Sequence, residues 1–383
     1  MSQRVVVLGA GYAGTTAVQR LERELDDAGL VWVSEEDYHL VLHEVHRAAR
    51  DPTVRDDVTV PIDAVAGSDT EFVRGAVTAV DADDRRVELA DADPVDYDYL
   101  LVALGSRTAY YGIPGLADNA HTLKSLDDAV GIHDAVVGAA EGATAEDPAS
   151  VVVGGAGLSG VQLAGELAAL RDERGYHVDV ALVEALAEVM PGQDDGLQRA
   201  VRRKLRRRGV EILTDDPIVE AREDAIEFDE RDPLSYDVFA WTGGITGQDA
   251  LDGAGLDADH DRVETDATFA TSDERVFAVG DSALVEQGDD VAPPTAQAAW
   301  DAAEVAAANV VRRLHGDPLR TWTYRDKGTV ISVGEEAVAH DVAYLPFGTF
   351  DGLPAELLKK SIAARWLADI AGPGRALSAW GSL

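Results

Sequence analysis

Glycines at two places in the chain have the spacing G-x-G-x-x-G. The first set is Gly9, Gly11 and Gly14, directly after the apolar residues 4–8. In this pattern the first glycine makes a tight turn, the second lets the backbone approach a pyrophosphate, and the third lets the next helix pack on the strand. The helix N-terminus then offers free N–H groups to phosphate. These residues predict dinucleotide binding; the alternative is an ordinary tight turn of an α/β domain.

The elements around the first turn fit this interpretation. Residues 4–8 are a β-branched apolar run that predicts a buried parallel strand, and residues 15–25 have apolar side chains at helical spacing. A second strand is predicted at residues 30–33. It ends at Ser34 and Glu35, where an acidic side chain would hydrogen-bond a ribose.

The second set is Gly155, Gly157 and Gly160. A strand is predicted at residues 150–153, a helix at 161–170 and a further strand at 177–183, which ends at Glu184. Because the order strand, glycine turn, helix, strand and acid occurs twice, the sequence predicts two dinucleotide sites. Glu184 has no arginine just beyond it, which favours NADH over NADPH: a carboxylate hydrogen-bonds the free 2′-hydroxyl and repels a 2′-phosphate.

Composition excludes several functions. The chain has 33 basic and 71 acidic residues, a net charge of −38, and the acids are spread along its length, so nucleic-acid binding is not expected. This acidic, lysine-poor composition resembles proteins from a salt-saturated cytoplasm and predicts a halophilic source. The absence of cysteine excludes disulfides, thiolate metal sites and redox dithiols. No run of 18 apolar residues is present to predict a membrane span.

Three later segments carry further candidates. Residues 197–208 predict a helix with a run of arginines, which is either a solvated face, an attractor for anionic NADH or a surface toward acidic lipid. A strand at 275–279 ends at Gly280 and Asp281, where a carboxylate can reach a ligand at the edge of a parallel sheet. Residues 293–297 open a predicted helix that runs to about residue 314, and its N-terminus can face an electron-accepting ring.

The C-terminal segment predicts an amphipathic helix over residues 354–370. Its apolar residues recur at every fourth position, and basic residues lie beside them: Leu358, Ile362, Trp366 and Ile370, with Lys359, Lys360 and Arg365. Such a helix favours a membrane interface. The alternative is that the apolar stripe packs on the first nucleotide-binding domain or on a second subunit.

The sequence resembles the two-dinucleotide flavoprotein reductases and, more closely, the type II NADH dehydrogenases, which are non-pumping NADH:quinone oxidoreductases. The resemblance covers nearly the whole chain and rests on both glycine fingerprints and on the segments 37–40, 102–106, 112–115, 122–129, 164–167, 277–281, 296–297 and 324–329. It implies an α/β protein of the glutathione-reductase type, with an NADH-binding Rossmann-like domain inserted in an FAD-binding one and a small C-terminal α+β domain that carries the amphipathic helix. The implied domains are 1–117 with 243–318 for FAD, 118–242 for NADH and 319–383 for quinone and the membrane interface.

The resemblance also implies the site residues. Non-covalent FAD would contact Gly9, Ala10, Gly11, Tyr12, Ala13, Gly14, Ser34, Glu35, His43, Val77, Ala103, Leu104, Gly105, Gly280, Asp281, Thr295, Ala296 and Gln297. NADH would contact Gly155, Ala156, Gly157, Leu158, Ser159, Gly160, Gln162, Glu184, Thr242, Gly243 and Gly244. Ala296 and Gln297 would lie beside the flavin ring near the quinone.

Three positions depart from the family pattern. Ser34 stands where the family usually has the ribose-binding acid, so Glu35 would take that role. Gln162 replaces a usual glutamate and cannot carry a proton. His43 stands at or next to a usual proline. The catalytic candidates are therefore His43, Gln162 and Gln297. His43 and His46 have an ordinary pKa suited to proton transfer, although such histidines are more often packed or exposed. His39 and His43 have a metal-like spacing that no nearby carboxylates complete, and no metal is predicted.

The sequence thus predicts an FAD enzyme that oxidises NADH and reduces a quinone, located peripherally on the cytoplasmic face of the cell membrane through residues 354–383. A homodimer is left open. The alternatives are a soluble NAD(P)H reductase of a ferredoxin-like protein or oxygen, and a non-catalytic FAD and NADH redox sensor. The missing cysteines exclude the cysteine chemistry of sulfide:quinone reductases and of dithiol-based reductases.

Overall fold

The structure is a computed structural model that describes residues 3–26, 28–346 and 348–383. Its α-helices are α1 (Tyr12–Glu24), α2 (His46–Arg50), α3 (Arg55–Val58), α4 (Leu116–Asn119), α5 (Leu126–Gly142), α6 (Leu158–Arg174), α7 (Asp195–Arg207), α8 (Ala296–His315), α9 (Leu353–Ala371) and α10 (Pro373–Ala379).

The first sheet is parallel and has the first strand at its centre. Arg4–Leu8 pairs with Gly29–Ser34 on one side and with Tyr99–Val102 on the other. Thr70–Arg74 forms one edge and Val276–Ala278 the other. The chain therefore leaves this sheet after Val102 and returns to it much later, as the resemblance implies for an inserted second domain. The central strand is a continuous apolar run because its side chains are buried on both faces.

The second sheet repeats this arrangement. Ala149–Gly154 pairs in parallel with Val178–Val183 and with Val238–Trp241, and Glu211–Leu213 forms an edge. In both sheets the central strand enters a glycine turn and then a helix, α1 or α6. These two helices begin at the turn itself, three residues before the predicted starts, because the turn runs directly into the first helical residue. The predicted fold class is confirmed.

Shorter strands form small sheets and pairs. Three of the small sheets have three strands each: Val77–Asp81, Arg86–Leu89 and Val95–Asp96; Ile218–Ala221, Ala225–Phe228 and Leu234–Ser235; and Thr329–Val333, Glu336–His340 and Thr349–Asp351. Another has four strands: Ala258–Asp259, Arg262–Thr265, Ala283–Gln287 and Asp290–Val291. The pairs are Tyr38–Leu40 with Thr59–Pro61 and Arg107–Thr108 with Ile245–Thr246.

The C-terminal helices pack back on the first sheet's glycine turn. The Trp366 side chain in α9 is fully buried, and its ring centroid lies 4.9 Å from that of Tyr12 and 4.4 Å from that of Trp300. Ile370 is also buried. The membrane interpretation of these two stripe residues is therefore wrong, and the packing alternative is right, because their side chains belong to the core. No helix in the described ranges is long and apolar enough to cross a membrane.

Candidate active site

The first glycine turn is shaped to approach a phosphate. Gly9 has φ +97°, and a Cβ there would lie 2.4 Å from the carbonyl oxygen of Ala103, so the turn requires glycine. At Gly11, in contrast, a Cβ would meet nothing within 4 Å. Gly11 is also the N-cap of α1, and no side chain caps it. The first N–H groups of this 13-residue helix therefore have no side-chain acceptor, and the backbone at Gly11 leaves room beside them, which fits a bound pyrophosphate.

The second glycine turn has the same construction. Gly155 has φ +89°, and a Cβ there would lie 2.5 Å from the Cα of Gly243. Gly157 is open within 4 Å and begins the uncapped α6. The Thr242 hydroxyl donates to the carbonyl oxygens of Gly154 and Gly155, both at 3.0 Å. The structure thus brings the predicted Thr242 and Gly243 to this turn.

Glu184 closes the second turn from the end of its strand. Its carboxylate accepts hydrogen bonds from the backbone N–H groups of Ala156 (2.7 Å) and Leu186 (2.9 Å). The side chain is thereby fixed beside the turn, at the position where a ribose-binding acid is expected.

The corresponding position at the first turn is different. Ser34 ends its strand and is buried, whereas Glu35 is exposed. Arg74, at the end of the neighbouring strand, donates to the Glu35 carbonyl (3.1 Å) and pairs with Asp37 (3.0 Å). Glu35 as the ribose ligand stays a prediction. The N–H of Gly75 donates to the Ser34 carbonyl oxygen. Val77, a predicted FAD contact, follows two residues later and therefore lies near the end of the strand Gly29–Ser34.

The Gly280–Asp281 segment meets the first turn of α1. A Cβ on Gly280 would lie 3.2 Å from that of Ala13. The Asp281 carboxylate accepts from the Ser106 hydroxyl (3.2 Å), and the half-buried Lys124 ammonium donates to the same hydroxyl (3.1 Å). Ala103, Leu104 and Gly105 lie in the connecting loop, where the N–H of Gly105 donates to Ser282. The structure therefore assembles the predicted residues of three separate segments.

The start of α8 is partly closed. Thr295 caps the helix by accepting from the N–H of Ala298 (3.1 Å), which leaves the N–H groups of Ala296 and Gln297 without a helical partner. The Gln297 amide donates to the carbonyl oxygen of Arg325 (2.9 Å). This bond ties the helix start to the segment that leads into the C-terminal sheet.

The two histidines nearest the first turn are built into its packing. His39 contacts the Ala10 carbonyl oxygen through Nδ1 (2.8 Å), and its Nε2 accepts from the indole N–H of Trp366 (2.8 Å). Both ring nitrogens are thus used, which leaves none for the metal site suggested by the His39 and His43 spacing. His43 hydrogen-bonds the Tyr12 hydroxyl through Nδ1. Burial lowers the pKa of both His39 and His43 to about 4, so each ring is neutral at pH 7.

A buried ion pair lies behind His43. Glu44 is fully buried and accepts from Lys359 Nζ in α9 (2.8 Å) and from Arg47 Nε (2.6 Å). Burial alone would raise the pKa of Glu44, but Lys359 and Arg47 hold it well below its ordinary value. Lys359 is therefore not a surface cation beside an apolar stripe, as its sequence position suggested. Its ammonium is neutralised inside the protein.

Gln162 belongs to a neighbouring polar group. Its side-chain amide donates to the Ser332 hydroxyl (3.1 Å) and lies 3.3 Å from His46 Nε2. Burial lowers the pKa of His46 well below its ordinary value. One turn further along α6, Glu166 is buried 3.4 Å from Arg50, and burial raises the pKa of its carboxyl. These contacts join α6, α2 and the C-terminal sheet.

Comparisons with known proteins agree with this geometry. The family model described as pyridine nucleotide-disulphide oxidoreductase matches residues 3–303. The chain is 31% identical to the type II NADH:quinone oxidoreductase of Staphylococcus saprophyticus, over 98% of this chain and 97% of that protein. It is 32% identical to the Staphylococcus aureus protein of the same name, with the same coverage. The chain belongs to the type II NADH:quinone oxidoreductases.

Solved structures share the fold of this oxidoreductase. The Plasmodium falciparum NDH2 in complex with NADH matches with a TM-score of 0.83 over 100% of this chain and 98% of that one, at 14% identity. The sulfide:quinone oxidoreductase of Aquifex aeolicus matches with a TM-score of 0.80 over 97% and 92%, at 18% identity.

Sequence reasoning missed the buried charges of this oxidoreductase. A signal for Lys359 was present, because residues 355, 359, 363, 366 and 370 form a helical face and are buried together. The stripe predicted from the sequence contains Leu358 and Ile362 instead, and each of these lies one residue before a buried position of that face. Glu44 had no such signal, since its partner lies 315 residues away.

Proposed function

We propose that this oxidoreductase holds FAD on the first glycine turn and NADH on the second, oxidises the NADH and reduces a quinone. The observation that carries the proposal is the pair of uncapped helix N-termini, each beside an open glycine, in a chain of this family. When bound, FAD supplies the chemistry that accepts a hydride and passes on two electrons one or two at a time. The protein supplies binding, orientation and charge.

The proposed division of the chain is residues 1–117 and 243–318 for FAD, 118–242 for NADH and 319–383 for the acceptor side. In support, the strand Val276–Ala278 returns to the first sheet after the second sheet is complete. In the FAD part, the N–H groups of α1 would hold the pyrophosphate, and Asp281 would reach the ribityl side. In the NADH part, α6 would hold the pyrophosphate and Glu184 the adenosine ribose.

On the acceptor side, the C-terminal helix α9 covers the first turn. Contacts between buried polar groups connect Lys359 through Glu44 and His43 to Tyr12, the first residue of α1. We assign to these side chains the supply of protons to the reduced acceptor. The neutral His43 ring can accept a proton on one nitrogen while it releases one from the other. Gln162 lies apart from this series, bonded to Ser332.

We further propose that the acceptor is a quinone in the membrane and that the C-terminal region contacts the lipid on the cytoplasmic face. Exposed apolar side chains of α9, of α10 and of the residue after it support the contact: Leu353, Leu357, Ile362, Leu377 and Trp380. Exposed apolar side chains on a helix are typical of interfacial binding.

A matched pair of variants tests the assignment of the two turns. Gly11→Val and Gly157→Val each add a side chain where a Cβ meets nothing within 4 Å, at φ −75° and −73°, so each should fold. Gly11→Val should be isolated without FAD. Gly157→Val should keep FAD that NADH no longer reduces but that a soluble quinone analogue still reoxidises after photoreduction. FAD retained by Gly11→Val, or normal NADH reduction of Gly157→Val, would contradict the assignment.

A further inference from the structure

A row of exposed arginines runs along one face of α7. Arg199, Arg203, Arg206 and Arg207 follow the helical spacing, and all four are exposed. The opposite face is buried: Leu197, Ala200, Val201, Lys204 and Leu205. We call the four exposed side chains the arginine row. It is a concentrated positive feature of a chain whose net charge is −38.

The row keeps most of its charge available. Arg206 and Arg207 have no ion pair with any residue that the structure describes. Arg199 lies 3.5 Å from Asp195 and Arg203 lies 3.4 Å from Asp351, and all four of these side chains are substantially exposed. Exposed pairs of this kind contribute little stability because water and salt screen them. A second anionic group can therefore compete for these arginines.

Exposed apolar side chains adjoin the row. Asp351, which Arg203 contacts, is followed after one glycine by Leu353, the first residue of α9. Leu353 is 65% exposed and Leu357, one turn later on the same face, is 46% exposed. The basic row of the NADH-binding part and the apolar start of the C-terminal helix are thus neighbours on the molecular surface.

We propose that the arginine row, with Leu353 and Leu357, docks on a membrane surface that carries anionic phosphate headgroups. Guanidinium groups form paired hydrogen bonds with phosphate. The two leucine side chains would be buried at the boundary between the lipid headgroups and the acyl chains. The inference rests on the proposed reduction of a membrane quinone, and it adds the NADH-binding part to the lipid contact of α9 and α10. At physiological salt the Debye length is about 8 Å, so the acidic remainder of the surface is screened while the row lies in contact.

The second half of the row, Arg206 and Arg207, is poorly placed to attract NADH. The start of α7 lies near the second glycine turn, because Gln198 donates to the Met190 carbonyl oxygen and the Met190 N–H donates to that of Ala156. Arg206 and Arg207 lie eight or nine residues later, about 12 Å further along the helix axis. Their distance from the turn favours a surface partner over the nucleotide.

The test is sedimentation of the FAD-loaded protein with phosphatidylcholine vesicles, with and without about 30 mol% of the anionic lipid phosphatidylglycerol. The variant is Arg206→Gln/Arg207→Gln. The control is Arg85→Gln/Arg320→Gln, which removes the same charge from two exposed arginines outside α7. Each arginine near an anionic surface changes partition by about fivefold, so the variant should bind anionic vesicles about 25-fold more weakly at 0.15 M salt. Its binding to neutral vesicles should equal that of the unmodified protein.

The outcomes separate the inference from the function. Both double variants should reduce a soluble quinone analogue with NADH at the unmodified rate. An equal loss of vesicle binding in the control, or no preference of the unmodified protein for anionic vesicles, would overturn the inference. So would a raised KM for NADH in the α7 variant with unchanged vesicle binding, which would assign the row to the nucleotide. Failure of the unmodified protein to reduce the analogue would instead overturn the proposed function.

Discussion

Replacement of Glu44 by glutamine should strongly destabilise the fold. The Glu44 carboxylate is fully buried and neutralises Lys359 at 2.8 Å and Arg47 at 2.6 Å. Glutamine keeps the shape but leaves the Lys359 ammonium buried without its anion. Removal of one partner from a buried ion pair typically costs about 3–5 kcal/mol, and we expect a loss of that size in the free energy of unfolding at pH 7.

The same replacement at Glu166 is the matched control. Glu166 is buried near the same helices, but neither carboxylate oxygen has a hydrogen-bond partner among the described residues, and burial raises its pKa. Its ion-pair partner Arg50 also lies 3.5 Å from Glu173 and 3.9 Å from Glu335, so a neutral amide at position 166 leaves that arginine with anionic partners and should change the unfolding free energy by less than about 1 kcal/mol. The double variant Glu44→Gln/Lys359→Met, which removes both charges of the pair, should recover much of the loss.

The measurement is urea unfolding of the FAD-saturated protein, followed by tryptophan fluorescence. The effect should also depend on pH. Since the folded pKa of Glu44 lies below its unfolded value, its stabilisation is present above about pH 4.3 and is lost as the pH falls through the folded pKa. The difference between the unmodified protein and Glu44→Gln should therefore shrink in acid. Equal losses for Glu44→Gln and Glu166→Gln, or no recovery in the double variant, would refute the reasoning.

Four further predictions follow from other parts of the molecule. Glu184→Gln should narrow the preference for NADH over NADPH by about tenfold or more, because it removes the negative charge that repels a 2′-phosphate. If the ratio of kcat/KM for NADH to kcat/KM for NADPH stays unchanged, Glu184 does not select the nucleotide. Because burial holds the pKa of His39 near 4, this residue should contribute about 3 kcal/mol to the fall in stability between pH 6.5 and 4. His39→Gln should remove that contribution in urea melts at a series of pH values, and an unchanged pH dependence would exclude it. With a net charge of −38, the thermal midpoint should rise from dilute to molar KCl, and a salt-independent melt would count against the halophile interpretation. Leu377→Ser/Trp380→Ser should weaken vesicle binding and retain FAD, because both side chains are exposed, whereas Trp366→Ser should lose FAD and stability together.

The glycine turns were predictable because their constraints are local. A Cβ on Gly14 would lie 1.9 Å from the carbonyl oxygen of Gly9, and one on Gly160 would lie 1.8 Å from that of Gly155, so the spacing of each motif encodes this approach. The central strands of the two large sheets and the extent of α9 (Leu353–Ala371) followed from the periodicity of apolar residues, whereas α8 begins at Ala296, three residues after its predicted start. The exception is the region of residues 71–90, where the sequence predicts two paired strands, 71–80 and 86–90, joined by the turn residues 81–85. Thr70–Arg74 joins the first sheet instead, and only Val77–Asp81 pairs with Arg86–Leu89, since an edge position on the sheet depends on the tertiary fold.

The polar interior was not predictable from the sequence. Glu44 and Lys359 lie 315 residues apart, and nothing in either local segment identifies the other as its partner. The same limit applies to the Trp366 and His39 bond, which turns a predicted membrane residue into a core residue. Residue type predicted that His43 titrates near neutral pH, whereas burial lowers its pKa to about 4.

The most direct test of the central claim uses the purified protein without oxygen. NADH is added while the flavin absorbance is followed, and a soluble quinone analogue is then added. We predict rapid bleaching by NADH and rapid recovery with the quinone, at a ratio of one quinone reduced per NADH consumed. Bleaching without recovery would contradict a quinone as the acceptor, and no bleaching by NADH would contradict the assignment of the second glycine turn.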